Sequence, residues 1–212
     1  MRTAVLVHGC HGEAADWSKI MFGTKDIVGR KLLGRAPRGI LVAVELQAEL
    51  VIWGGVSTMK RCFGFVELWE GLSKEVRDIA KGIDHYFDAK SRTTKEEIEN
   101  AAMYTRLRDI ERLVLVSSPT HIVRCYQTAL VHLWNRPGYE KLWKNLCAFQ
   151  SDTCYEGATP NDVVVFEPWH RPDRPNLHLP EIGKALLTLP PGEAHRWIPE
   201  IEEVIARHGG KI

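Results

Sequence analysis

Apolar residues along this chain gather into four short runs: 4–7 (Ala-Val-Leu-Val), 50–53 (Leu-Val-Ile-Trp), 113–116 (Leu-Val-Leu-Val) and 163–166 (Val-Val-Val-Phe). None alternates with polar residues, which is the pattern of strands buried on both faces of a parallel sheet. A weaker fifth run, 83–87, carries Asp84 and His85 among its apolar positions. Helical spacing appears between the runs, at about 39–48, 66–80, 95–107 and 120–134. Strands alternating with helices predict βαβ units, hence an α/β, Rossmann-like three-layer sandwich with a mostly parallel sheet of about five strands. Residues 180–208 read as two helices separated by Leu189-Pro190-Pro191-Gly192, the second marked by Ile198, Ile201, Val204 and Ile205. They are a C-terminal helical elaboration of the same unit.

Two stretches fit this scheme poorly. Residues 17–38 are glycine-rich and basic. Residues 134–160 carry Trp134, Tyr139, Trp143 and Phe149 and read as a helical, aromatic insertion. No composition shift marks a boundary, so residues 1–212 are expected to form a single domain.

Composition narrows the class. Lys+Arg number 28 and Asp+Glu 27, a formal charge of +1, which offers no global field for nucleic acid. The local basic stretch Arg30, Lys31, Arg35 and Arg38 reads as a solvated face, and nucleic acid is not an expected partner. Five cysteines (Cys10, Cys62, Cys125, Cys147, Cys154) without a C-x-x-C exclude an even disulfide framework and a thiolate zinc site. No apolar stretch reaches about 18 residues, so no membrane partner is expected. A cytoplasmic protein is the expectation.

In open α/β sheets, ligands bind beyond the carboxyl ends of the strands, so the loops there carry the candidate chemistry. The first strand runs into His8-Gly9-Cys10-His11-Gly12, where glycine allows a tight turn and close approach. Two histidines alone do not make a metal site, and none is assigned. The second strand ends in Trp53-Gly54-Gly55-Val56-Ser57, whose backbone N–H groups and hydroxyl suit a phosphate or carboxylate. After the weak strand, Thr94 and Glu97 have the spacing of a capping box, with Asn100 one turn beyond. That box accounts for Glu97 as structure, while Thr94 at a helix start also suits an anion.

The run 113–116 leads into Ser117-Ser118-Pro119-Thr120-His121, with Arg124 one turn later. Serine caps and Pro119 mark a helix start. A histidine and a guanidinium on its first turns suit proton transfer and anion binding. The helix dipole disfavours imidazolium there and keeps His121 available as a base. The last strand ends in a proline-stiffened loop that presents Trp169, His170, Arg171 and Asp173 to a ligand.

Taken together and in this order, Gly54-Gly55, Glu67 or Glu70, residues 91–101 and Ser117-Ser118…His121…Arg124 resemble the YdcF/SanA/ElyC-like family. The resemblance spans about residues 41–130. It implies a Rossmann-like domain with polar residues gathered at one sheet edge, and it adds Glu67 to the candidates. The membrane anchor of SanA-like and ElyC-like members has no counterpart among the apolar runs, which turns the expectation away from an envelope role.

The resulting expectation is a small-molecule enzyme for an anionic, phosphate- or nucleotide-bearing metabolite. His121 is the general acid/base, Arg124 the anion clamp and Glu67 a further catalytic candidate. His8, Gly9, Gly54, Gly55, Ser57, Thr94, Glu97, Asn100, Ser117, Ser118, His170, Arg171 and Asp173 are the binding residues. The cofactor is left open, with S-adenosylmethionine or another nucleotide as the first to test. No G-x-G-x-x-G follows the first strand, which argues against a standard dinucleotide site. The alternative is a non-catalytic metabolite sensor using the same donors. An α/β-hydrolase is disfavoured because no serine stands in a G-x-S-x-G elbow.

Overall fold

The structure, a computed structural model, describes residues 1–10, 16–55, 65–134 and 136–154, with positions 199 and 203. Five strands form one sheet: β1 (Thr3–Val7), β4 (Leu50–Trp53), β5 (Asp84–Phe87), β6 (Arg112–Ser117) and β7 (Cys147–Gln150). A separate antiparallel pair joins β2 (Gly23–Lys25) to β3 (Lys31–Leu33). The helices are α1 (Trp17–Phe22), α2 (Arg35–Glu45), α3 (Phe65–Gly71), α4 (Lys74–Ala80), α5 (Thr94–Leu107), α6 (Pro119–Leu133) and α7 (Glu140–Lys144).

The main sheet has the order β5-β4-β1-β6-β7 and is parallel throughout. The continuous apolar runs follow from burial on both faces. Leu6, Ile52, Leu113 and Leu115 pack with Ile98 of α5 and Ile122 and Leu130 of α6. Their neighbours Val5, Val7, Val51, Trp53, Val114 and Val116 pack on the other face, with Ile40 and Ala43 of α2 and Val76 of α4. Alternate residues therefore feed two cores, and no position in β1 or β4 is left for a polar side chain facing water. This is the expected α/β sandwich.

From β1 the chain steps to β4 and β5 on one side, then returns to β6 and β7 on the other. The strand order thus reverses between β1 and β6. In such sheets that reversal opens a crevice at the carboxyl ends, where the connections diverge.

Several expectations shift. The stretch 134–160, expected as an insertion, supplies α7 and the edge strand β7. The run at 163–166 lies outside the described residues, as do residues 180–198 of the expected C-terminal helices. The helix expected over 66–80 is two helices, because Ser73 caps a second start by accepting from the Val76 N–H at 3.5 Å. α2 begins four residues before expectation, with Gly34 at its N-cap and Pro37 in its first turn, where a missing N–H costs nothing.

The basic stretch is a solvated face only in part: Arg30 and Lys31 are exposed, whereas Arg35 and Arg38 turn inward. Arg35 is fully buried, Arg30 pairs with Asp26 at 2.6 Å, and Arg38 pairs with Asp152 at 2.6 Å. Among the described residues no helix is long and apolar enough to cross a membrane.

Candidate functional site

β1 delivers His8 to the carboxyl edge beside β6, where its N–H donates to the Val116 carbonyl at 2.9 Å. The His8 ring is wholly buried. Its Nδ1 lies 2.5 Å from Oε2 of Glu97, and the other carboxylate oxygen accepts from the Gly9 N–H at 3.1 Å. Burial alone pulls an imidazole toward its neutral form. Here the Cys125 thiol and the Glu97 carboxylate outweigh it, and the His8 pKa is raised from 6.5 to about 9. The short Nδ1–Oε2 contact holds the His8 ring against Glu97 in the interior.

Glu97 reaches His8 because the start of α5 differs by one residue from the expected capping box. Thr93 is the N-cap and its hydroxyl accepts from the Glu96 N–H at 3.2 Å. Glu96 turns back to accept from the Arg92 N–H at 2.6 Å. With the capping done by Thr93 and Glu96, Thr94 and Glu97 are released to the inner side of the helix, where both are buried.

The glycines are explained by the same carboxylate. A Cβ on Gly9 would stand 2.5 Å from the Gly54 carbonyl oxygen and 3.0 Å from Glu97 Oε1. One on Gly54 would stand 2.9 Å from the Glu97 carboxyl carbon. Gly55 has φ +57°, and its Cβ would collide with Glu97 Oε1. The sequence reading has Gly9, Gly54 and Gly55 approach a ligand; what they approach in the structure is Glu97.

α6 carries the second half of the cluster. His121 sits in its first turn, half-buried. Its Nε2 lies 3.2 Å from Thr94 Oγ1 and its Nδ1 2.9 Å from Ser117 Oγ. A hydroxyl donates or accepts as required, so either ring tautomer is accommodated. The His121 and His8 rings meet edge-on with centroids 6.0 Å apart. Cys125, one turn further along α6, places Sγ 3.5 Å from His121 Nδ1. Ser118 is the N-cap of α6 but does not cap with its side chain; its Oγ instead accepts from Arg35 Nε at 2.8 Å. Arg35 also donates to the carbonyls of His8, at 3.2 Å, and of Gly9. One guanidinium thus ties the end of β1 to the start of α6.

The structure therefore brings together His8, Gly9, Gly54, Gly55, Thr94, Glu97, Ser117, Ser118 and His121. Arg124 follows one turn after His121 on α6, half-buried. Asn100 is placed elsewhere: its Nδ2 donates to Ser91 Oγ at 2.8 Å and to Asp88, bracing the loop between β5 and α5. Glu67 is exposed in the first turn of α3, and among the described residues no hydrogen bond or ion pair joins it to His8, Glu97 or His121. Ser57, His170, Arg171 and Asp173 lie outside the described residues. Among the described residues no three His, Cys, Asp or Glu side chains are placed so that they could hold a metal ion.

Two members escaped the sequence reading. Arg35 stands among basic neighbours in the sequence, and only the Gly34-Arg35-Ala36-Pro37 helix start hints that it faces inward. Cys125 stands four residues after His121, a spacing that places both on one helix face.

No family model, curated protein or solved structure matches this chain.

Proposed function

We propose that the protein is an enzyme that binds a small anionic metabolite at the carboxyl edge between β1 and β6. Phosphate-bearing and nucleotide metabolites are the first class to test; S-adenosylmethionine, an adenosyl sulfonium whose one anionic group is its carboxylate, is tested beside them. His121 is the general acid/base and Arg124 the anion clamp.

The observation that carries this reading is the placing of His121. It stands at the reversal in strand order, half-buried, with a hydroxyl on each ring nitrogen. An imidazole so bracketed takes or gives a proton at either nitrogen without losing its position. The amino ends of α2, α5 and α6 all open on this edge, and their dipoles favour a negative ligand. The Glu97 carboxylate fills the space among Gly9, Gly54 and Gly55 and repels an anion there. We therefore assign the anion to the starts of α5 and α6 rather than to the glycines. The motifs that resemble the YdcF/SanA/ElyC-like family include both of those starts.

The second reading, a sensor that binds without turnover, is favoured by Glu97, whose carboxylate is engaged internally by His8 and Gly9. Mass spectrometry of the denatured protein identifies a co-purified metabolite, and turnover of it separates the two. For the enzyme, His121→Ala abolishes turnover and retains binding. Turnover undiminished in His121→Ala removes the proposed mechanism, and binding with no product selects the sensor.

A further inference from the structure

Two buried polar atoms on the α2 side of the sheet make no hydrogen bond: Oγ of Ser151 and Nε of Arg38. Such atoms are few in a folded chain, and each calls for a reason. Ser151 is 1% exposed and follows directly on β7. Cys147 and Phe149 of that strand pack against the α2 core, and by alternation Ser151 follows them to the same face. Its N–H donates to the Ser117 carbonyl at 2.8 Å, so it sits beside the end of β6, where Ser118 holds Arg35. Its chain neighbour Asp152 accepts from Arg38 Nη2 at 2.6 Å and from the Leu33 N–H at 2.8 Å. Arg35 and Arg38 stand one turn apart on α2, hence on one face of that helix. Ser118, Ser151, Arg35 and Arg38 therefore gather around one niche at the start of α2.

The missing partner has a definite chemistry. Arg38 Nε has only a proton to give, so the group that completes it is an acceptor, and the Ser151 hydroxyl donates to the same kind of group. Among the residues named, two guanidiniums stand against one carboxylate, that of Asp152, whose oxygens already accept from Arg38 and Leu33. The positive end of the α2 dipole adds to this field. Arg38 and Asp152 form the open side, with side chains 30% and 34% exposed, and buried Ser151 the inner side. We infer that this niche is a binding site for a phosphate-class oxyanion, with Arg38 Nε and Ser151 Oγ as its donors and Arg35 supplying charge behind them. A tetrahedral group suits donors that come from two different elements, because its oxygens do not share one plane. The niche lies on the α2 side of the sheet, whereas Thr94 and His121 belong to α5 and α6, so it does not depend on the reading of His121 as the acid/base group.

The probe is inorganic phosphate, added to full-length 15N-labelled protein at constant ionic strength against sodium chloride. The Arg38 Nε–H and the Ser151 amide are expected to shift together and saturably. Ser151→Ala removes one donor, keeps the Arg38–Asp152 pair, and should weaken binding by about tenfold, the loss of one hydrogen bond to a charged group. Arg38→Lys keeps the charge but removes the Nε–H and should weaken it similarly; if that variant does not fold, Ser151→Ala decides. Acetate, a planar carboxylate, should bind more weakly than phosphate. Affinity unchanged in Ser151→Ala, equal shifts from chloride, or tighter binding of acetate overturns the assignment. So do phosphate shifts confined to Thr94, Thr120 and His121, which would leave the proposed function standing and remove only the niche.

Discussion

Removing one partner from a buried ion pair leaves the other charge without compensation. For Glu97→Gln, which strips the charge that holds His8, the expected loss is about 3–5 kcal/mol in equilibrium denaturation. The pH dependence of the wild type follows from His8, whose charged form Cys125 and Glu97 both favour. The folded protein holds the His8 proton more tightly than the unfolded chain, with a pKa of about 9 against 6.5. The stabilisation is therefore complete below about pH 6.5 and is lost as pH rises through about 9. Denaturation curves across that window should show the decline in the wild type and a flatter profile in Glu97→Gln. Gly55→Ala meets both a positive φ and the Glu97 oxygen, and a loss of about 2 kcal/mol or more is expected in the same measurement. Much of this is legible residue by residue: strand-end position and residue type mark out His8, Thr94, His121 and the glycines. Their mutual contacts are not, because a glycine chosen to clear a carboxylate looks in sequence like one chosen to clear a ligand. Arg35 looks in sequence like its exposed neighbours for a related reason, since a charge satisfied by backbone carbonyls has no signature in composition.

At the level of single elements, the start of α5 decides which residues reach the site. Thr93→Ala removes the cap and should cost about 1 kcal/mol of stability while leaving the His121 ring-nitrogen shifts in place. Thr94→Ala should do the reverse, moving the Nε2 shift of His121 through loss of the 3.2 Å contact with little effect on stability. Histidine-detected NMR beside denaturation curves separates the two. Sequence spacing alone does not, because Thr93 and Thr94 each have a glutamate three residues on, and only the backbone at Thr93, φ −133° and ψ 155°, shows which is the cap. Strands divide in the same way. β1, β4 and β6 read clearly because both faces are buried. β7 does not: among the described strands it has a neighbour on one side only, and it stays half-buried, so Cys-Ala-Phe-Gln carries no long apolar run.

Across the whole molecule, strand order turns scattered motifs into one site. The reversal between β1 and β6 places the loop after β1 beside the start of α6, although more than a hundred residues separate them in sequence. Amide hydrogen exchange should follow the same architecture: slowest in β1, paired on both sides by β4 and β6, and fastest in the edge strands β5 and β7. The α/β class was legible from alternation of strands and helices, whereas the order of the strands lies in pairings between distant segments that no local pattern encodes. The claim on which the functional account turns is that an anionic metabolite binds at this edge. It is tested most directly by titrating 15N-labelled protein with phosphate-bearing metabolites while following backbone amides. The account predicts that a binding ligand moves Thr94, Ser118, Thr120 and His121 together, and that Arg124→Ala weakens it by about tenfold or more, as loss of a charge-assisted contact should. A ligand that moves only amides at the opposite end of the strands, or one that Arg124→Ala binds as tightly as the wild type, would contradict it.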